Sequence, residues 1–148
     1  MLFRSTANQL LGRDWAVGVR YRLSQAELTG RFTDVPRSAL NASQLNQDEQ
    51  SLLHQLTMFV NFNHPCGFFG QFQSIWSSQS NSGYSGTPPG DDFWQHNIAV
   101  GYRFLRRRAE VQLALLNFTD REYRLNPLNL YSELPRERTL AVSLKFNF

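Results

Sequence analysis

Apolar and polar residues alternate along most of this chain with a period of two. Between Trp15 and Leu23 the odd positions Trp15, Val17, Val19, Tyr21 and Leu23 are apolar, while the even positions carry Ala16, Gly18, Arg20 and Arg22. Such alternation sends successive side chains to opposite faces of a β-strand. The same signature predicts strands at about 13–23, 50–63, 68–79, 93–104, 109–118 and 138–148. The pattern is cleanest where Trp94, His96, Ile98, Val100, Tyr102 and Phe104 oppose Gln95, Asn97, Ala99, Gly101 and Arg103. In 50–63, Leu52, Leu56, Met58, Val60 and Phe62 share one parity, and His54 and Phe59 are out of step. In 68–79 both faces carry apolar residues, so Gln71 and Gln73 alone mark the polar side. Residues 1–10 alternate poorly and read as the tail of a seventh strand.

The connections between these strands alternate too. Short turns are predicted at 11–14, 63–67 and 105–108, each punctuated by Gly, Pro or charged residues. Long polar connections are predicted at 24–48, 78–92 and 119–137, the first with a short helix around 38–45. The expected fold is all-β, an antiparallel up-and-down meander of six or seven strands. Tight turns at one end and long loops at the other are the layout of outer-membrane β-barrels, whose strands of ~9–11 residues cross the hydrocarbon with a tilt.

Composition narrows the function classes. Hydrophobic residues make up 41% of the chain and aromatic residues 14%. No run approaches the ~18 consecutive apolar residues that a membrane helix needs, whereas a membrane barrel needs only alternation. The net charge is +3, and the arginines are scattered except at Arg106-Arg107-Arg108, so no basic stripe points to nucleic acid. The chain shows no basic and apolar leader at Met1 and closes on Phe146-Asn147-Phe148 with no polar tail. A soluble protein avoids ending on such an edge strand. Membrane barrels run from ~8 strands upward, so the expectation is that residues 1–148 are the C-terminal segment of an outer-membrane barrel, with no plug domain. The remaining barrel strands would lie upstream of Met1.

The segment Asn117-Phe118-Thr119-Asp120-Arg121-Glu122-Tyr123, then Arg138-Thr139-Leu140 and the closing Phe146-Asn147-Phe148, resembles the C-terminal end of TonB-dependent receptors. The resemblance covers roughly residues 93–148. It implies a barrel in the bacterial outer membrane that takes up a nutrient or ferric chelate. Its partners would be outer-membrane lipid, the barrel-assembly machinery and, through an N-terminal part outside these residues, TonB. Phe146 and Phe148 match the aromatic positions of the family's assembly signal, and Ser143 stands where that signal favours Gly. The family's plug and TonB-contacting box are not among these residues. Two other readings stay open: a barrel that anchors a longer N-terminal module without transport, and a soluble β-sandwich binding domain.

Candidate chemistry is sparse. There is no nucleophile elbow, Cys/His pair or phosphate loop, so neither enzyme activity nor a cofactor is expected. His54, His64 and His96 fall in different elements without ligand spacing, Asp91-Asp92 lacks a calcium-loop pattern, and Cys66 is solitary. Arg20, Arg22, Arg103, Glu110 and Lys145 share the polar parity of their strands and are the candidates to line a lumen, either selecting solutes or forming a salt-bridge lattice. Tyr84, Tyr123 and Tyr131 are the candidate loop contacts for an external ligand.

Overall fold

The computed structural model of the chain describes residues 1–30, 48–83, 89–104, 108–123 and 137–146. They form one antiparallel sheet of seven strands in chain order: β1 (Leu2–Leu11), β2 (Trp15–Thr29), β3 (Asp48–Asn63), β4 (Phe68–Ser82), β5 (Asp92–Phe104), β6 (Ala109–Leu116) and β7 (Thr139–Phe146). Each strand pairs only with its neighbours in sequence, so the sheet is a meander that does not close on itself. The outer edges of β1 and β7 are unpaired among the described residues.

The structure departs from the alternation at the strand ends. β1 is a full strand, paired from Leu2 opposite Ser24 to Leu11 opposite Trp15, although its own sequence alternates poorly. The backbone donors and acceptors on its inner edge pair with β2, and that ladder sets its structure where side-chain pattern does not. β2 continues to Thr29, paired with Asp48, so residues 24–29 are strand and not loop. β4 likewise runs on to Ser82, and the Gln79 and Asn81 amides donate to the Asp91 and Pro89 carbonyls. These extensions are polar, and cross-strand hydrogen bonds hold them without an apolar face. β6 stops at Leu116 because Asn117 turns the backbone to φ 50°. The helix expected at 38–45, most of the turn at 105–108, and Asn147 and Phe148 lie outside the described residues.

The short connections at 12–14 and 64–67 sit at one end of the sheet. At the second, the Gly67 amide donates to the His64 carbonyl at 3.0 Å and the Gly67 carbonyl accepts from the Arg103 amide at 2.9 Å. Gly67 holds φ at 103°, a conformation that side chains disfavour, with the Arg103 carbonyl packed against it.

Register explains the aromatic residues that fell out of step. Phe59 stands directly opposite Gly18, and Phe69 opposite Gly101. In each pair the ring lies over the glycine, where a Cβ would collide with it. An aromatic ring thus fills the space that a strand glycine leaves. Gly18→Ala is expected to lose about 1 kcal/mol, the low end of overpacking costs, because the ring tip of Phe59 and the Asn8 amide both have to move aside. Denaturant titration of the folded chain measures this.

Candidate functional site

Because every pair is in register, residues of one parity line up across the whole sheet. One face carries rows such as Val17, Val60, Phe72, Ile98, Leu115 and Leu140. It also carries nearly all the exposed large apolar side chains. Among the described strand residues, only Leu2, Leu10, Leu28 and Leu116 of that set stand on the other face. Ile98 is 43% exposed and Val142 68%.

This apolar face is zoned. Towards the short turns it holds Trp15, Phe62, Phe68, Tyr102, Phe104 and Phe146; Trp15 and Phe62 pack with ring centroids 4.7 Å apart, and Phe62 and Phe68 at 6.1 Å. Towards the long connections it holds Phe3, Tyr21, Trp76 and Trp94. Between the two lies a largely aliphatic zone of Val17, Val19, Met58, Val60, Ile98 and Val100. In the zone towards the long connections, Tyr21 and Trp76 have their polar tips bonded. Tyr21 Oη and His54 Nδ1 are 2.7 Å apart, and Trp76 Nε1 donates to Asp92 Oδ1 at 2.8 Å. Past this zone the same face turns polar, with Gln25, Glu27, Gln50, Ser78 and Ser80. All three tryptophans of the chain stand on this face, at its two aromatic borders.

The aliphatic zone also has a depression. The row Ala7, Val19, Met58, Ser74 and His96 includes small side chains and leaves an open groove of about 720 Å³. The His96 ring stacks on Phe72 and Trp94, at 6.1 and 6.2 Å, and its Nδ1 is buried without a hydrogen-bond partner among the described residues.

The opposite face is polar and more enclosed. Thr57, Ser77 and Gln79 are buried there, as are the rings of Phe69 and Phe93. Amides and hydroxyls bond across strands: Gln55 to Ser77, Gln79 to Ser51 at 2.9 Å, and Asn97 to Gln73 at 3.1 Å. Burial without such bonds would be costly. All five residues predicted to share a lumen side lie on this face. Arg103 pairs with Glu110 at 2.7 Å, donates to Asn63 Oδ1 at 2.8 Å and lies 4.1 Å over the Phe69 ring. Lys145 stands opposite Glu110 in register. Arg20 and Arg22 are in another part of the face, away from this group.

The Asn117–Tyr123 segment forms a clasp. Asn117 is 3% exposed, and its amide donates to Asn97 Oδ1 at 2.9 Å. Its side chain accepts from the Arg121 amide at 3.1 Å and donates to the Arg121 carbonyl at 3.0 Å. The Phe118 amide donates to the His96 carbonyl at 3.0 Å. Asp120, at φ 56°, accepts from the Arg138 amide at 2.8 Å, just before β7. Tyr123 stacks on Phe93 at 4.2 Å, so this candidate loop contact packs on the sheet. Tyr84, Tyr131 and Phe148 lie outside the described residues, while Phe146 is 56% exposed on the apolar face.

Sequence reasoning missed Arg4, which register brings opposite Arg22. Its signal was weak because residues 1–10 alternate poorly. Among the described residues no three His, Cys, Asp or Glu side chains gather as metal ligands. No protein-family model, curated protein or solved structure matches the chain.

Proposed function

We propose that this chain is a section of wall from a β-barrel in the bacterial outer membrane. Its apolar face meets lipid, its polar face meets a water-filled interior, and further strands complete the wall beyond β1 and β7. The observation that carries this is the apolar face with aromatic borders. The exposed part of its large side chains is on the order of 1,000 Å², against the few hundred Å² that soluble monomers leave open. At roughly 25 cal/mol per Å², holding that area in water costs on the order of 25 kcal/mol. That exceeds the ~5–15 kcal/mol net stability of a domain. Hydrocarbon removes the cost, and aromatic side chains suit the two interfaces. The belt has the right height: Trp94 to Phe104 spans ~33 Å of strand, or ~25 Å once tilted by the ~40° usual in barrels.

The resemblance to TonB-dependent receptors extends the proposal to uptake of a nutrient or chelate by the parent barrel. The residues that carry the resemblance include the Asn117 clasp, which joins β5, β6 and the approach to β7.

The test is to fold residues 1–148 with and without lipid vesicles. The expected result is strand-rich protein inserted only with lipid, its open β1 and β7 edges closed by pairing between copies, and its tryptophan emission quenched more by bromines near the headgroups than by bromines at the bilayer centre. All three tryptophans report, because all lie at the borders. A folded monomer in plain buffer, with no quenching when vesicles are added, would favour a soluble binding domain and overturn the proposal.

A further inference from the structure

Arg4, Arg20 and Arg22 stand together on the polar face. Arg4 is directly opposite Arg22 across β1 and β2, and Arg20 is two residues along β2, opposite Thr6. On the β3 side, Gln55 faces Arg22 and Thr57 faces Arg20. The acid of β3 on this face, Glu49, sits opposite Leu28, well along the strand from this group. None of the three arginines is ion-paired with a described carboxylate, and all three are exposed. Arg22 Nε donates to Ser24 Oγ at 2.9 Å.

Like charges placed directly opposite each other work against strand pairing. Arg103, on the same face, is neutralised by Glu110, so the lack of an acid beside Arg4 and Arg22 among the described residues is particular to this place. We infer that Arg4, Arg20 and Arg22 bind a small solute carrying two or more anionic oxygen groups, phosphate or carboxylate. Opposed Cα atoms in an antiparallel pair are ~5 Å apart, and same-face neighbours along a strand ~7 Å. Three guanidinium forks at that spacing hold two adjacent oxyanions of one molecule bidentately. Thr6, Thr57 and Gln55 add neutral hydrogen-bonding groups beside them.

This inference rests on the polar face meeting water, as in the proposed barrel. The experiment titrates the folded full chain, in whichever medium holds it as a monomer, with pyrophosphate, citrate and acetate by calorimetry. Pyrophosphate, citrate or both are expected to bind at least about tenfold tighter than acetate, and Arg4→Gln or Arg22→Gln to weaken that binding about tenfold. Which of the two polyanions binds better tells phosphate from carboxylate recognition. Arg13→Gln, in the β1–β2 turn, removes the same charge elsewhere and is expected to leave binding within about twofold. Urea midpoints are read on the same variants. Arg22→Gln is expected to hold or raise its midpoint, because a repulsive pair is relieved, whereas an arginine needed for packing would lower it. Equal weakening by Arg13→Gln, no preference over acetate, or a lowered midpoint in Arg22→Gln overturns the inference. A chain that inserts in lipid with quenched tryptophans yet binds neither pyrophosphate nor citrate overturns the inference alone and leaves the barrel proposal standing.

Discussion

In a lipid bilayer, Ile98→Arg is expected to destabilise the folded chain by about 2–4 kcal/mol, the cost of a guanidinium on the lipid side at mid-depth. Ile98 is midway along the apolar face of β5, between Trp94 and Phe104, and 43% exposed. An exposed isoleucine on a soluble protein would tolerate the same change within about 0.5 kcal/mol. The control is Gln112→Arg on the polar face of β6, opposite Gly101 and Ser143. It is expected to cost no more than about 0.5 kcal/mol, because the new charge meets water and polar neighbours. Urea titration of chain folded into vesicles, followed by tryptophan emission, measures both. Equal costs for the two variants would show that the apolar face does not meet hydrocarbon.

Asn117→Ala is expected to cost about 2–5 kcal/mol. The side chain is buried and makes two hydrogen bonds to Arg121 backbone groups, worth ~0.5–1.5 kcal/mol each and more where a buried partner is left unpaired. Alanine also adopts the left-handed backbone less readily than asparagine, a further ~1–2 kcal/mol at φ 50°. Asn117→Gly separates the two contributions. It keeps the backbone conformation and loses only the bonds, so it is expected to cost less than the alanine variant. Hydrogen exchange at the Arg138 amide, which donates to Asp120, should quicken in both. An unchanged rate would mean that the segment does not hold the approach to β7.

Particular residues show how far the sequence could be read. In 93–104 and 139–146, alternation alone placed each side chain on its correct face, because the strand period is two and one face is predominantly apolar. It failed where strands are held by backbone pairing rather than by an apolar face: residues 2–11, and the polar extensions at 24–29 and 80–82. The out-of-step Phe59 was legible only as an anomaly. Its explanation, Gly18, lies 41 positions earlier in the chain and meets it solely through the β2–β3 register.

The sites divide in the same way. Arg20, Arg22, Arg103, Glu110 and Lys145 could be put on one face from parity, since parity is a local property. Which of them are neutralised is a non-local property. Register sets Glu110 beside Arg103 and sets Arg4 beside Arg22 with no acid between them. The sequence by itself thus determined that this is an all-β chain with one apolar face, because alternation is written in consecutive residues. Only the tertiary structure decided how the strands pair, where the aromatic borders align, how Asn117 clasps the approach to β7, and which arginines stand unpaired among the described residues. Those depend on contacts between residues far apart in the chain, set by a ladder of backbone hydrogen bonds in which every residue takes part whatever its side chain.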